Sequence, residues 1–183
     1  MKATDILMEE HGIIVRVLAA LEGAADRLEQ GQAVRPGFFL DAADFIKGFA
    51  DGCHHRKEEG VLFKAMAAHG MSERNGPIGV MLAEHEQGRA FTRAMRSAAQ
   101  RRAQGDEAAR PELVRAARGY AGLLRQHIAK ENGILFPMAN QVIPPGEQAR
   151  VADDFEHVEH EETGEGVHEK YLALAEALEH ESH

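Results

Sequence analysis

Two stretches decide the fold: His54-His55-Arg56-Lys57-Glu58-Glu59-Gly60-Val61-Leu62-Phe63 and His127-Ile128-Ala129-Lys130-Glu131-Asn132-Gly133-Ile134-Leu135-Phe136. They align without a gap, the second 127 − 54 = 73 residues after the first. Upstream, the pair Glu10-His11 returns as Glu84-His85, 84 − 10 = 74 residues on. The surrounding periodicity is helical, with apolar residues recurring every three or four positions. A first helix is expected from Thr4, read as its N-cap, to Gln30, with Gly31 as the stop. Its inward stripe is Leu7, His11, Ile14, Leu18, Leu21, Ala25 and Leu28. A second runs from Pro36 to His69 with Phe39, Ala43, Ile46, Ala50, His54, Val61 and Ala65 inward. The third runs from Pro77 to Gln104. The fourth starts at Pro111 and turns Leu113, Ala117, Tyr120, Leu124, His127, Glu131, Ile134 and Met138 inward, with Pro137 expected to kink or end it. Past Ile143-Pro144-Pro145-Gly146, shorter helices are expected at 147–163 and 167–181. The pattern contains no strand signal. The expected fold is all-α: an up-down-up-down four-helix bundle, a duplicated helical hairpin, over residues 1–143, with a helical extension at 144–183 packing on it.

In each of the four stripes of that bundle a histidine stands where a leucine would be expected, and the repeated positions share a level. At about 1.5 Å rise per residue, each lies roughly 16 to 21 residues from its own hairpin loop. The i, i+4 spacing then stacks each His over its Glu on one helix face. The pattern His-x-x-x-Glu by itself is weak, because it also occurs at His55/Glu59, His69/Glu73 and His157/Glu161. Only His54/Glu58 and His127/Glu131 fit the repeat. His55/Glu59 falls on Ile128/Asn132 and is set aside. The candidate metal ligands are therefore His11, His54, Glu58, His85, His127 and Glu131.

Burying two carboxylates and four imidazoles together is costly unless something offsets the lost hydration, and cations would do so. Nitrogen and oxygen donors without thiolate suit iron or manganese, with zinc as a further option. If both glutamates bridge two octahedral ions, they fill four positions and the histidines four more. A shared oxide or hydroxide takes two of the twelve, and about two stay open to a small molecule.

The other histidines and acids read more simply. Glu10 and Glu84 fit a solvated or hydrogen-bonding face, and Cys53 a small buried thiol, since residue 126 is Gln. Glu156, His157, His160 and Glu161 fit an acidic helix covering one end of the bundle, a second metal site being the alternative. His168 is an extra ligand or gate only as a minor reading, while His180 and His183 are expected to be exposed. Met66, Met81, Met95 and Met138 read as core filling.

The chain has 183 residues, enough for one domain with a sizeable core. Its formal charge of −9 and lack of a basic run argue against nucleic acid and anionic membranes. One cysteine excludes a disulfide-stapled scaffold, and no stretch approaches the length of a membrane span. A cytoplasmic protein, monomeric or homodimeric, is the expectation.

The ordered set His11, His54/Glu58, His85, His127/Glu131, closed by Leu135-Phe136-Pro137, resembles the hemerythrin-like HHE cation-binding family over about residues 4–140. The resemblance implies a four-helix bundle around a non-haem di-iron centre: two iron ions joined by an oxide or hydroxide. His11, His54, His85 and His127 would be terminal ligands, and Glu58 and Glu131 would bridge. Oxygen-carrying hemerythrins use five histidines, two of them four apart on the third helix. Here the positions four away from His85 are Met81 and Arg89, and Glu131 stands four residues after His127 where those proteins have Asp at five. The metal pair is accordingly expected to be more open or more reactive than an oxygen carrier's. Ferritin-like proteins use Glu-x-x-His, which occurs here only at Glu165/His168. The expected function is a di-iron protein that binds, senses or detoxifies dioxygen, peroxide or nitric oxide. The alternatives are a di-iron enzyme activating peroxide or oxygen, for which no catalytic residue is assigned, and a metal-free helical interaction module.

Overall fold

A computed structural model describes residues 2–181, and among these there is no strand. Six helices follow one another: α1 (Ala3–Glu29), α2 (residues 38–68), α3 (Gly76–Ala103), α4 (residues 110–142), α5 (residues 148–163) and α6 (Val167–Glu181). The start of α1 differs from expectation. Thr4 lies inside the helix, its hydroxyl donating to Asn140 Oδ1 at 3.1 Å. Asp5 instead reaches back to accept the Lys2 amide at 2.8 Å, which satisfies one of the N–H groups left free at a helix start. At the other end Gly31 takes φ 74°, the left-handed stop that a side chain would resist.

The four long helices close a ring: α1 packs on α2 and α4, and α3 on α2 and α4. Inside the ring are two apolar cores. One gathers Ile14, Leu18, Phe45, Phe49, Met95 and Tyr120. The other gathers Leu7, Phe63, Met66, Met81 and Phe136, with Phe155 from α5. On every long helix the chain passes from one core to the other through a histidine, so a polar layer lies between two dry ones.

Near this layer α2 and α4 are not regular α-helices. Residues Ile46–His55 and Glu58–Leu62 of α2, and Glu131–Leu135 of α4, form π-helical turns. A π turn closes its hydrogen bonds over one more residue than an α turn, so beyond it the buried face moves along by one position. The expected inward stripe fails from there on. Ile134 is 55% exposed, and Val61, Ala65 and Met138 are half-buried. Leu62, Phe63 and Met66, and Leu135, Phe136 and Ala139, are buried in their place. Pro137 does not end α4, which continues to Val142. It falls in the first turn after the π segment, where a missing N–H is tolerated.

Helices α5 and α6 pack along α1 and α2. Arg16 meets Glu179 at 2.9 Å and Arg35 meets Glu181 at 2.7 Å, while Ala175 and Leu178 are buried. Glu156, His157, His160 and Glu161 are all exposed and gather no metal-binding cluster among the described residues. His180 is exposed, and His183 lies outside the described residues.

Candidate metal centre

The structure brings the six expected side chains together. His11, His54, Glu58 and Glu131 place ligand atoms within 4.8 Å of one another, and His85 and His127 form a second such group with Glu58. The second group also contains His55, which the repeat had set aside. His55 is 2% exposed and stacks on His85 with ring centroids 3.9 Å apart. The π segment of α2 is the reason, because its wide turns let the consecutive residues His54 and His55 both face inward. Glu59 does not accompany His55 as a partner in the cluster; it bonds to His85.

Each carboxylate reaches across the layer. Glu58 lies 3.4 Å from His54 Nε2 through one oxygen and 3.3 Å from His85 Nε2 through the other. Glu131 does the same between His11 (3.1 Å) and His127 (3.0 Å). Two sub-sites result, one beside His11 and His54, the other beside His55, His85 and His127.

All five imidazoles are oriented from behind. Their Nδ1 atoms meet Asn132 (His11, 2.7 Å), Glu10 (His54, 2.8 Å), Asp51 (His55, 2.9 Å), Glu59 (His85, 2.7 Å) and Glu84 (His127, 2.9 Å). Each partner offers an oxygen acceptor, so Nδ1 carries the proton and Nε2 turns a lone pair inward, the arrangement of a metal-ligating histidine. Inside the layer those lone pairs lack donors. Nε2 of His11, His54 and His55 and all four oxygens of Glu58 and Glu131 are buried without a hydrogen-bond partner. Nε2 of His85 faces Nε2 of His127 at 3.1 Å, which needs either an added proton or a cation between them. Orphaned buried acceptors in such numbers are unfavourable, and cations satisfy them all.

In the metal-free protein protons take that part. Burial alone would lower His54, but Glu58 and Glu10 outweigh it and raise the imidazole to about 10. His85 rises to about 9 against the same burial, through Glu58 and Glu59. His55 goes the other way: burial and the adjacent cationic His85 hold it well below its usual value. Burial opposes the charge on Glu58, yet His54 and His85 keep that carboxyl ionised far into acid.

The supporting residues repeat as the ligands do, a feature that a reading of the histidines alone missed. Glu10 on α1 holds His54 and is held by Lys57 at 2.6 Å. Glu84 on α3 holds His127 and is held by Lys130. Glu59 and Asn132, each directly after a central glutamate, hold the histidine of the other hairpin. Lys57 and Lys130 are themselves 73 residues apart, so the signal was in the sequence. His55 breaks the symmetry, as its counterpart is Ile128.

Cys53, Glu10, Glu159 and His168 also come within 4.8 Å of one another. The Lys57 ammonium already bridges both carboxylates of that group, at 2.6 and 2.7 Å, which leaves little reason for a metal there. Burial, reinforced by Glu10, pushes the Cys53 thiol up to about 12, so it stays a neutral thiol.

An all-helical protein whose buried histidines and glutamates could hold cations is the class this geometry defines. The hemerythrin HHE cation binding domain model matches residues 2–139, and the chain belongs to that family. Uncharacterized proteins of Mycobacterium tuberculosis and Mycobacterium bovis are similar to it at 27% identity, over 89% of this chain and 63% of theirs. The chain thus spans less than two thirds of the length of these relatives. No solved structure matches it significantly.

Proposed function

We propose that residues 1–143 form a hemerythrin-type four-helix bundle holding two iron ions, with residues 144–183 as an extension docked on it. The bundle would bind, sense or detoxify a small oxidant such as dioxygen, peroxide or nitric oxide. One ion would be held by His11 and His54, the other by His55, His85 and His127. Glu58 and Glu131 would serve both.

Five inward imidazoles, each fixed from behind by an oxygen acceptor, together with two carboxylates that have no donors, carry this reading. The donor set is nitrogen and oxygen only, which favours iron or manganese over a thiolate-bound metal. Five imidazoles and four carboxylate oxygens supply nine of the twelve positions of two octahedral ions. The ion beside His11 and His54 is then the less saturated, and the natural place for a small molecule to bind. A ferrous pair supplies electrons for reducing such a molecule. The protein keeps the layer dry between two apolar cores and fixes the imidazole tautomers.

Metal analysis and an optical spectrum of protein purified with iron test the reading. The expected result is about two iron ions per chain, with absorption from the ferric pair that disappears in Glu58→Ala and Glu131→Ala. Metal well below that level in the native chain, at full helical content, would reject it in favour of a metal-free interaction module.

A further inference from the structure

The outer edge of the layer, behind His55 and His85, opens on a groove of about 810 Å³ between α2 and α3. That volume is far larger than a diatomic or peroxide needs and lies in the range of small organic ligands. Five cations line it, Lys47, Arg56, Arg89, Arg93 and Arg96, against the acids Asp51 and Glu59. In a chain of net charge −9 this is a marked local inversion. The α2 wall is opened by glycine: a Cβ placed on Gly60 would meet nothing within 4 Å.

Not every cation is free to act. Arg96 is paired with Asp44 at 2.7 Å, and Arg89 with Glu59 at 2.8 Å and with Glu86. Lys47 and Arg93 make no ion pair among the described residues, and both are exposed. Two uncommitted cations match one dianion, and a phosphate monoester carries about −1.5 to −2 at neutral pH. Guanidinium groups also fit phosphate oxygens in paired hydrogen bonds. A long polyanion would meet the acids outside the groove, whereas a small ligand can seat against Lys47 and Arg93, because the two acids of the groove are already engaged, Asp51 by His55 and Glu59 by His85 and Arg89.

We propose that this groove is a binding site for a small organic phosphate monoester, held by Lys47 and Arg93. The organic part would occupy the remaining volume beside Gly60 and Thr92. Arg89 connects the site to the metal layer. Its guanidinium holds Glu59, the partner of His85, and lies 3.7 Å from Asp51, the partner of His55.

Calorimetric titration of the full chain with adenosine 5′-monophosphate, ribose 5-phosphate and inorganic phosphate tests the site, in metal-free and iron-loaded protein. Both organic phosphates should bind both forms, more tightly than inorganic phosphate does. K47E/R93E should weaken them about tenfold or more. The charge-matched surface variant R74E/R150E should leave them within about twofold. Helical content and melting temperature verify folding, and K47Q/R93Q replaces the charge-reversed variant should it fail to fold. Absence of binding by either organic phosphate up to millimolar concentration would overturn the proposal. So would equal affinity in K47E/R93E and the control, or binding confined to iron-loaded protein, which would locate the phosphate on the metal. Because the metal-free chain is titrated separately, failure of the di-iron reading leaves this result interpretable.

Discussion

At the scale of single residues, the centre is made by pairs: each imidazole that faces inward has an acceptor behind it. His55 and Asp51 form the pair that distinguishes the two sub-sites, since their repeat counterparts are Ile128 and Leu124. Loss of an outer acceptor from a metal-bound histidine typically costs about 10–100-fold in metal affinity. On the proposed two-iron centre, Asp51→Ala should weaken binding of one ion by about that factor, and His55→Leu by more, in competition with a chelator. Equal affinities in native protein and His55→Leu would remove His55 from the ligand set. The same pairs set the pH response of the metal-free protein. His54 and His85 are raised to about 10 and about 9 when folded, above the ordinary histidine value. Their protonated forms therefore stabilise the fold fully below pH 6.5 or so, and that contribution is lost as pH climbs through 9 to 10. Thermal melts of metal-free protein should show the melting temperature falling between pH 7 and 10. The iron-loaded protein, with its imidazoles already deprotonated, should instead lose stability as acid displaces the metal.

At the scale of helices, the π turns govern what could be read from the sequence. The stripes Leu7–His11–Ile14 and Leu124–His127–Glu131, which the periodicity turns inward, are buried, and the one on α4 lies before the register moves on there. Beyond Glu58 and Glu131 a strict 3.6-residue period places Val61 and Ile134 inside, one position from the residues that are buried there. Hydrophobicity does not mark such a turn: Ile134 and Leu135 are equally apolar, and only the closure of the layer decides between them. His55 was missed for the same reason, since an α-helical turn sets residues 54 and 55 about 100° apart and the wider turn brings them closer to one face. The two alternatives separate by experiment. Ile134→Ser should change stability by no more than about 0.5 kcal/mol, as an exposed substitution. Leu135→Ala should cost about 2–5 kcal/mol as a cavity in the core. Denaturant unfolding of both variants measures this, and the reverse order would mean that α4 keeps α-helical register through the site.

At the scale of the whole molecule, the near-twofold repeat is covered on one side only. Lys57 and Lys130 hold equivalent glutamates, yet Lys57 is buried and Lys130 is 38% exposed, because α5 brings Glu159 over Lys57. The extension therefore ties into the centre through Glu159–Lys57–Glu10–His54, a chain with contacts of 2.7, 2.6 and 2.8 Å. Removing Lys57 leaves Glu10 and Glu159 facing each other without their shared cation. Breaking a buried pair in this way costs about 3–5 kcal/mol, so Lys57→Met should unfold at correspondingly lower denaturant. Removing the metal costs stability by a separate route, because it returns the orphaned acceptors of the layer to a dry interior. Metal present at 1,000 times its dissociation constant contributes about 4 kcal/mol per site by mass action. For a chain of this size each kcal/mol is worth about 2–4 °C, so chelation should lower the melting temperature by at least roughly 8 °C. The two perturbations meet at His54, which is both a proposed ligand and the end of the Lys57 chain, and effects on contacting groups do not add. Lys57→Met should thus lose less on chelation than the native protein does, because the proposed centre would hold its metal more weakly from the start. Strictly additive losses would show that the extension stabilises the bundle without influencing the centre.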